Sequence, residues 1–284
     1  MPKSPSFAFV LLAFMAGAAL AQLPPAPTPV PGSPLDRPAR HADTPSGGAG
    51  SPDAFIERPA ELDGPAPGTE RSRFIFATGF RVDQAGHVVS NRHFVDACEA
   101  VGVIGNSGLV AELRVVAVDQ EHDLALLAGL PGAEAASMRA VDEPLQGEEL
   151  LSYGFPLPGV LSSSGQLGSG MVTALTGLRN APGQFQTDVP LTPGSSGSPL
   201  LDRRGQVVGV LFGRLNALRI AQVTGDLPAN MSFAVRLAPL KSLLDAHGVR
   251  YSTGSSSSPQ LNSQEIAARA REWTVPLACR RKGA

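Results

Sequence analysis

The stretch Gly194-Ser195-Ser196-Gly197-Ser198-Pro199-Leu200 sets one serine between small residues, just ahead of a strand-like segment. Acyl-transfer chemistry needs such an arrangement: a tight turn that presents one hydroxyl and aims nearby backbone N–H groups at an oxyanion. A Gly/Ser-rich turn alone is common and decides little. Two upstream segments give it weight, Ser90-Asn91-Arg92-His93-Phe94-Val95 and Asp119-Gln120-Glu121-His122-Asp123-Leu124-Ala125-Leu126-Leu127. Together they supply His93, Asp123 and Ser196 in the chain order base, orienter, nucleophile, one of several orders that serine hydrolases use.

From Arg73 onward the pattern is all-β. Phe74–Val82 reads as a strand, Asp83-Gln84-Ala85-Gly86 as a turn, and His87–Ser90 as the next strand. Short apolar runs then recur at Val101–Ile104, Leu113–Val118, Leu124–Leu127, Leu150–Tyr153, Met171–Leu175, Gln206–Phe212 and Met231–Val235, separated by Gly, Pro, Asp or Asn. Many short strands with such punctuation predict a sandwich or a barrel, and the pattern does not choose between them. Leu237–Asp245 fits a short closing helix. Ser252–Ser258 reads as a flexible spacer. Asn262 is the predicted N-cap of a second helix, with Glu265 at N3, running to about Trp273. Thr274–Ala278 reads as extended.

The ends bound the class. Met1–Ala21 has the parts of a secretory signal: Lys3, an apolar run from Phe7 to Ala18, and Ala19-Leu20-Ala21 as a cleavage site. That run is short for a membrane span, which disfavours an uncleaved anchor, and no later segment is long and apolar enough to span. The expectation is an exported chain, periplasmic or extracellular. Residues 22–67 are rich in Pro, Gly, Ala and Ser and predict a mostly disordered linker. One domain is expected over 68–249, then a Ser-rich spacer with a helix and extended tail over 250–284. A net charge of −2 makes no case for nucleic acid or an anionic membrane. Two cysteines in an exported chain, Cys98 and Cys279, read as one disulfide; the alternative is two free or intermolecular thiols. Neither has a ligand partner at metal-site spacing.

Three ordered motifs resemble those of trypsin-like serine peptidases of the HtrA/Deg type, within the chymotrypsin-like superfamily. The family pattern has Thr/Ser-Asn-x-His before Val-Val, Asp-Leu-Ala-Leu-Leu, and Pro-Gly-Asn-Ser-Gly-Gly-Pro-Leu. Here the chain reads Ser-Asn-Arg-His-Phe-Val, Asp-Leu-Ala-Leu-Leu and Pro-Gly-Ser-Ser-Gly-Ser-Pro-Leu. Thr78-Gly79-Phe80, Gln186-Thr187-Asp188 and Ser232-Phe233-Ala234-Val235 are lesser matches, and the likeness covers roughly residues 70–247. The resemblance implies two six-stranded β-barrels with the site in the cleft between them. It makes Ser196 the nucleophile, His93 the base and Asp123 the orienter, with the N–H groups of Gly194 and Ser196 as the oxyanion hole. Many relatives carry a PDZ domain after the protease; the residues after position 247 are too few for one.

The rivals at each position are weaker. His41, His87, His122 and His247 lack the flanking motif. Asp119 and Asp188 do not open the apolar strand, and Ser195 and Ser198 are not centred between glycines. Ser195 stands where the family usually has Asn, or Asp in the digestive enzymes, so activation by an ion pair to a new N-terminus is not supported. Ser198 replaces Gly. Pro190, six residues before the nucleophile, is not acidic, so a Lys/Arg preference has no anchor. Leu191, Val210, Leu211 and Phe212 are expected to line a small apolar pocket taking residues such as Val, Ala or Leu. The function implied is a serine endopeptidase acting on proteins or unfolded polypeptides, without metal or organic cofactor. The alternative from another class is a non-catalytic or latent binding module on the same scaffold. An esterase of the α/β-hydrolase kind is disfavoured, because such chains alternate strands with helices and place the His last.

Overall fold

The computed structural model describes residues 56–57, 74–96, 98–105, 108–156, 164–215, 221, 225 and 231–281. The predicted signal peptide and, apart from 56–57, the predicted linker lie outside the described residues. In chain order the strands are β1 (Ile56–Glu57), β2 (Phe74–Arg81), β3 (His87–Asn91), β4 (Cys98–Gly105), β5 (Gly108–Asp119), β6 (Leu124–Ala128), β7 (Ser137–Arg139), β8 (Glu149–Gly154), β9 (Gln166–Ala174), β10 (Gln184–Thr187), β11 (Pro199–Leu201), β12 (Val207–Leu215), β13 (Ser232–Arg236), β14 (Ser252–Gly254) and β15 (Thr274–Arg281). The helices are α1 (Arg92–Asp96), α2 (Leu237–Ala246) and α3 (Ser263–Trp273).

Two six-stranded rings result, as the resemblance implied. The first is closed in the order β15-β2-β3-β6-β5-β4. The second runs β11-β8-β9-β10-β13-β12 and closes through the β11–β12 pairing, with β7, β14 and β1 added outside it. Closure removes the exposed sheet edges that would otherwise invite pairing with other chains.

Three apolar clusters follow from strand alternation. On β6, Ala125 and Leu127 point into the first barrel with Ile75, Val88, Val103 and Leu277. Leu124 and Leu126 point the other way, into a layer between the barrels with Phe80, Tyr153, Phe212 and Phe233. Both faces are covered, which is why this strand reads as an unbroken apolar run. The second barrel has its own interior around Leu150, Phe185, Leu200 and Leu211. Helices α2 and α3 seal the middle layer. Ile266, Ala270 and Trp273 fall on one face of α3, and the Trp273 ring meets Phe80 edge-on at 6.3 Å. Asn262 and Glu265 form the capping box read from the sequence.

The expected tail is part of the fold. The Ser-rich segment is not a free spacer: β14 pairs in parallel with β7. Arg204 and Gln206 donate side-chain hydrogen bonds to the carbonyls of Ser258 and Ser255, both at 2.9 Å. Thr274–Arg281 is the sixth strand of the first barrel, seated between β2 and β4. The described core therefore runs to Arg281 rather than ending at 249. Pro276 is tolerated mid-strand because it faces Thr78, whose backbone groups are used elsewhere: its N–H goes to the Ser196 carbonyl and its carbonyl accepts the Ser90 hydroxyl. No ladder bond to β2 is lost for want of a proline N–H. A Cys98–Cys279 disulfide ties the start of β4 to β15. In the chain-entropy account a cross-link over 181 residues stabilises by ~5 kcal/mol.

Candidate active site

His93 is the second residue of α1, directly after β3. Asp123 ends the turn before β6 with φ of 57°, a left-handed conformation that Asp tolerates better than most residues. Four contacts lock the two segments. The Asp123 carbonyl accepts from Asn91 Nδ2 at 3.0 Å and from the Arg92 N–H at 3.1 Å. Its carboxylate takes the His93 backbone N–H on Oδ1 at 2.9 Å and pairs with the ring Nδ1 through Oδ2 at 2.6 Å. One carboxylate thus fixes both the backbone and the ring of His93. With the proton on Nδ1, Nε2 presents its lone pair.

Asp119 supports that turn. Its Oδ1 accepts the N–H groups of Glu121 and His122 at 2.9 and 3.0 Å, and Oδ2 pairs with His122 Nδ1 at 2.8 Å. Burial pushes the Asp119 carboxyl up, but the N–H groups and the imidazole more than offset this and hold it below the usual carboxylate value. This brace is therefore present above the ordinary carboxylate pKa and is lost as pH falls through the depressed one. His122, which lacks the flanking motif, and Asp119, the rival orienter, brace the turn.

Ser196 sits in the turn before β11. Ser195 donates its N–H to Thr192 O at 2.9 Å, Ser198 to Ser195 O at 3.0 Å, and Gly197 to Leu211 O at 2.8 Å. Gly194 and Gly197 have φ of 90° and 84°. At Gly197 a Cβ would lie 2.1 Å from the Thr78 carbonyl oxygen and 2.6 Å from Ser90 Oγ, so only glycine lets the turn press against β2 and β3. Among the described residues, no carbonyl or side chain takes the N–H of Gly194 or Ser196. Ser196 Oγ and His93 Nε2 are both buried without a hydrogen-bond partner, and no hydrogen bond joins them. Unpaired buried polar atoms are rare, and catalytic groups are one reason for them. In resting structures catalytic hydrogen bonds are often long.

Ser198 Oγ is likewise buried without a hydrogen-bond partner, whereas the other candidates are engaged elsewhere. Asp188 Oδ1 accepts the Met171 N–H at 2.6 Å, and Ser195 Oγ meets Thr192 Oγ1 at 3.1 Å. His87 pairs with Asp83, and His247 Nδ1 lies 2.9 Å from the Leu243 carbonyl. His41 lies outside the described residues. The expected pocket residues are a correction. Leu191 and Leu211 belong to the interior of the second barrel, and Val210 and Phe212 to the layer between barrels, all at 4% exposure or less. Both faces of β12 are covered at these positions, so their side chains are core.

Thr78 was seen only as part of a lesser motif, yet it joins the two barrels to the serine turn. Fully buried on β2, it donates its N–H to Ser196 O at 2.8 Å and its hydroxyl to Gly194 O at 2.8 Å. The same hydroxyl accepts the Phe155 N–H at 2.9 Å. Thr78→Val keeps the shape and strands two buried backbone groups, so unfolding free energy should fall by ~1–3 kcal/mol in urea titration. Thr78→Ser should stay near wild type.

The profile of the trypsin-like peptidase domain matches residues 77–210, the span that carries His93, Asp123 and Ser196. Residues 77–210 are a trypsin-like peptidase domain. Among its named relatives are proteases of the HtrA and DegP kinds. "Uncharacterized protein y4bJ" of Sinorhizobium fredii is 37% identical over 226 residues, 78% of this chain and 36% of that protein. "Serine protease Do-like HtrA" of Lactobacillus helveticus is 27% identical over 64% of this chain and 44% of its own length. A "probable periplasmic serine endoprotease DegP-like" of Ectopseudomonas mendocina is 30% identical over 50% and 30%. The chain spans less than half the length of each of these relatives. No helix among the described residues is long and apolar enough to cross a membrane.

Proposed function

We propose that the trypsin-like domain is a serine endopeptidase acting through a Ser196-His93-Asp123 acyl-enzyme. The observation that carries this reading is the Asp123–His93 pair, held at 2.6 Å, with His93 Nε2 and Ser196 Oγ both buried and unspent. Ser196 Oγ attacks the scissile carbonyl carbon while its proton passes to Nε2. Asp123 stabilises the imidazolium. The oxyanion accepts the N–H groups of Gly194 and Ser196, one such donor being worth about 3–4 kcal/mol of barrier. Collapse breaks the C–N bond, and the amine leaves with the proton from Nε2. Water then repeats the sequence on the acyl-enzyme.

Substrates are proteins or unfolded polypeptides, and the signal-like Met1–Ala21 supports export to a periplasm or beyond. On the acyl side we propose small or medium apolar side chains. Pro190 is exposed and uncharged, so no carboxylate stands there to draw Lys or Arg. A peptide-library digest dominated by Arg, Lys or Glu overturns this preference.

The test is a fluorophosphonate probe on the purified chain, with the adduct mapped by mass spectrometry. An adduct on Ser196 is expected. A folded chain that stays unlabelled favours the binding-module reading instead. Asp123→Asn, which puts the wrong tautomer on His93, should slow peptide hydrolysis by about 10⁴-fold while melting stays cooperative.

A further inference from the structure

One edge of β12 leads to the serine turn. β13 takes the other edge from Gly209 to Arg214. Along the edge in question β11 pairs with Val207–Val210, and the serine turn follows. There Ser198 O accepts the Leu211 N–H at 3.0 Å, and Leu211 O accepts the Gly197 N–H at 2.8 Å. Since β13 holds its edge as far as Arg214, β1 lies on the same edge as the serine turn, antiparallel, with Glu57 opposite Arg214 and Ile56 opposite Leu215. Leu215 donates its N–H to Met231 O at 2.8 Å, toward β13, so the alternation of the strand turns the Arg214 backbone groups toward Glu57. Among the described residues, no strand covers this edge at Phe212 and Gly213, between β1 and the serine turn.

The polarity of β1 carries this further. From Ile56 to Glu57 its chain moves along β12 toward the serine turn. Arg214 is roughly 10 Å from Leu211 at the usual strand rise. The acyl half of a polypeptide, whose last carbonyl Ser196 attacks, arrives in the same direction when it adds antiparallel to an edge. Such strand addition uses the backbone N–H and C=O groups of the edge, so one edge takes one strand at a time. We propose that β1 is an autoinhibitory strand: this chain's own Ile56 and Glu57 occupy the edge of β12 that an extended substrate must reach, and they leave before it binds. The proposal rests on the endopeptidase reading. The pairing is short and therefore reversible. Because it lies within one chain, it competes at an effective concentration that dilute substrate does not match.

The test sets the full chain beside Glu57→Pro, which removes the N–H facing Arg214 and lies outside both six-stranded rings. Two coumarin amides are compared, one with a long, extended acyl half and one with a single acyl residue, too short to reach Arg214. A binding-competent edge that is free ~10% of the time weakens apparent affinity ~10-fold. Glu57→Pro should therefore lower KM for the long amide about 10-fold with kcat unchanged, and leave both constants for the short amide unchanged. Labelling of Ser196 by the fluorophosphonate probe should run at equal rates in the two chains. If neither chain labels or cleaves either amide, the endopeptidase reading fails and takes this proposal with it. If the amides are cleaved and KM for the long one is the same in both chains, or shifts equally for both amides, the proposal is overturned. A fall in kcat or in labelling rate also overturns it, and makes β1 a support of the site. A wild-type KM that falls as the enzyme is diluted puts the competing strand on a second copy and overturns the assignment within one chain.

Discussion

Ser196→Ala and His93→Ala are each expected to lower kcat/KM on a peptide substrate by about 10⁶-fold, and the double variant by no more than either alone. The reason is the division of labour in the site. Attack requires the Ser196 hydroxyl and a base for its proton in the same step, so removing either removes the step. What remains is binding and the oxyanion donors, Gly194 and Ser196 N–H, which alanine at 196 does not disturb. The Ser196 hydroxyl makes no hydrogen bond that holds the turn, since Thr78, Leu211 and Thr192 grip the backbone there. Stability should therefore be unchanged. Steady-state kinetics with melting curves on the three variants check this. Additive losses in the double variant would mean that the two residues act in different steps. More than about 1% residual activity in Ser196→Ala would move the nucleophile elsewhere.

Ending the chain at Trp273 should abolish the folded first barrel. β15 is paired on both sides, from Thr274 to Arg280 against β2 and from Leu277 to Arg281 against β4. Leu277 and Cys279 are fully buried in the barrel interior. Losing this strand opens two edges, empties the core of Leu277 and removes the disulfide. Each of the last two changes is worth several kcal/mol, against a total stability of about 5–15 kcal/mol for a domain. Amide exchange should show β2 to β6 unprotected, and the fluorophosphonate probe should leave Ser196 unlabelled. A truncated chain with wild-type protection in β2 and β4 would refute the structural role given to β15. A milder version, Leu277→Asp, should give the same loss of protection in the full chain.

What the sequence disclosed and what it hid divide along physical lines. The His93, Asp123 and Ser196 segments were legible because each is a local device: a strand end running into a helix, a turn opening an apolar strand, a glycine-flanked turn. The strands of β2, β3, β6 and β8 were legible for the same reason, as apolar runs between turn residues. The role of β15 was not, because its partners lie about 200 residues upstream and Pro276 argues locally against an inner strand. Only the path of the Thr78 backbone groups explains that proline. The pocket residues failed differently. Val210-Leu211-Phe212 reads as apolar whether it faces a substrate or a core, and composition alone carries no information on which side is covered. The bracing roles of Thr78 and Asp119 are not legible locally, because their work is done largely by hydrogen bonds to backbone groups, which leave no periodic trace.

The first barrel is begun by β2 and closed by β15, which follows the strands of the second ring, β8 to β13, in the chain. On a ribosome, the segments bearing His93 and Asp123 emerge early but wait with β2 and β4 each lacking its β15 partner. The serine turn and the whole second barrel are made before the segment that closes the first. A nascent or prematurely terminated chain thus holds every residue of the site and still lacks the frame that aligns them. Alignment of the site therefore waits on β15, a segment that carries none of its residues.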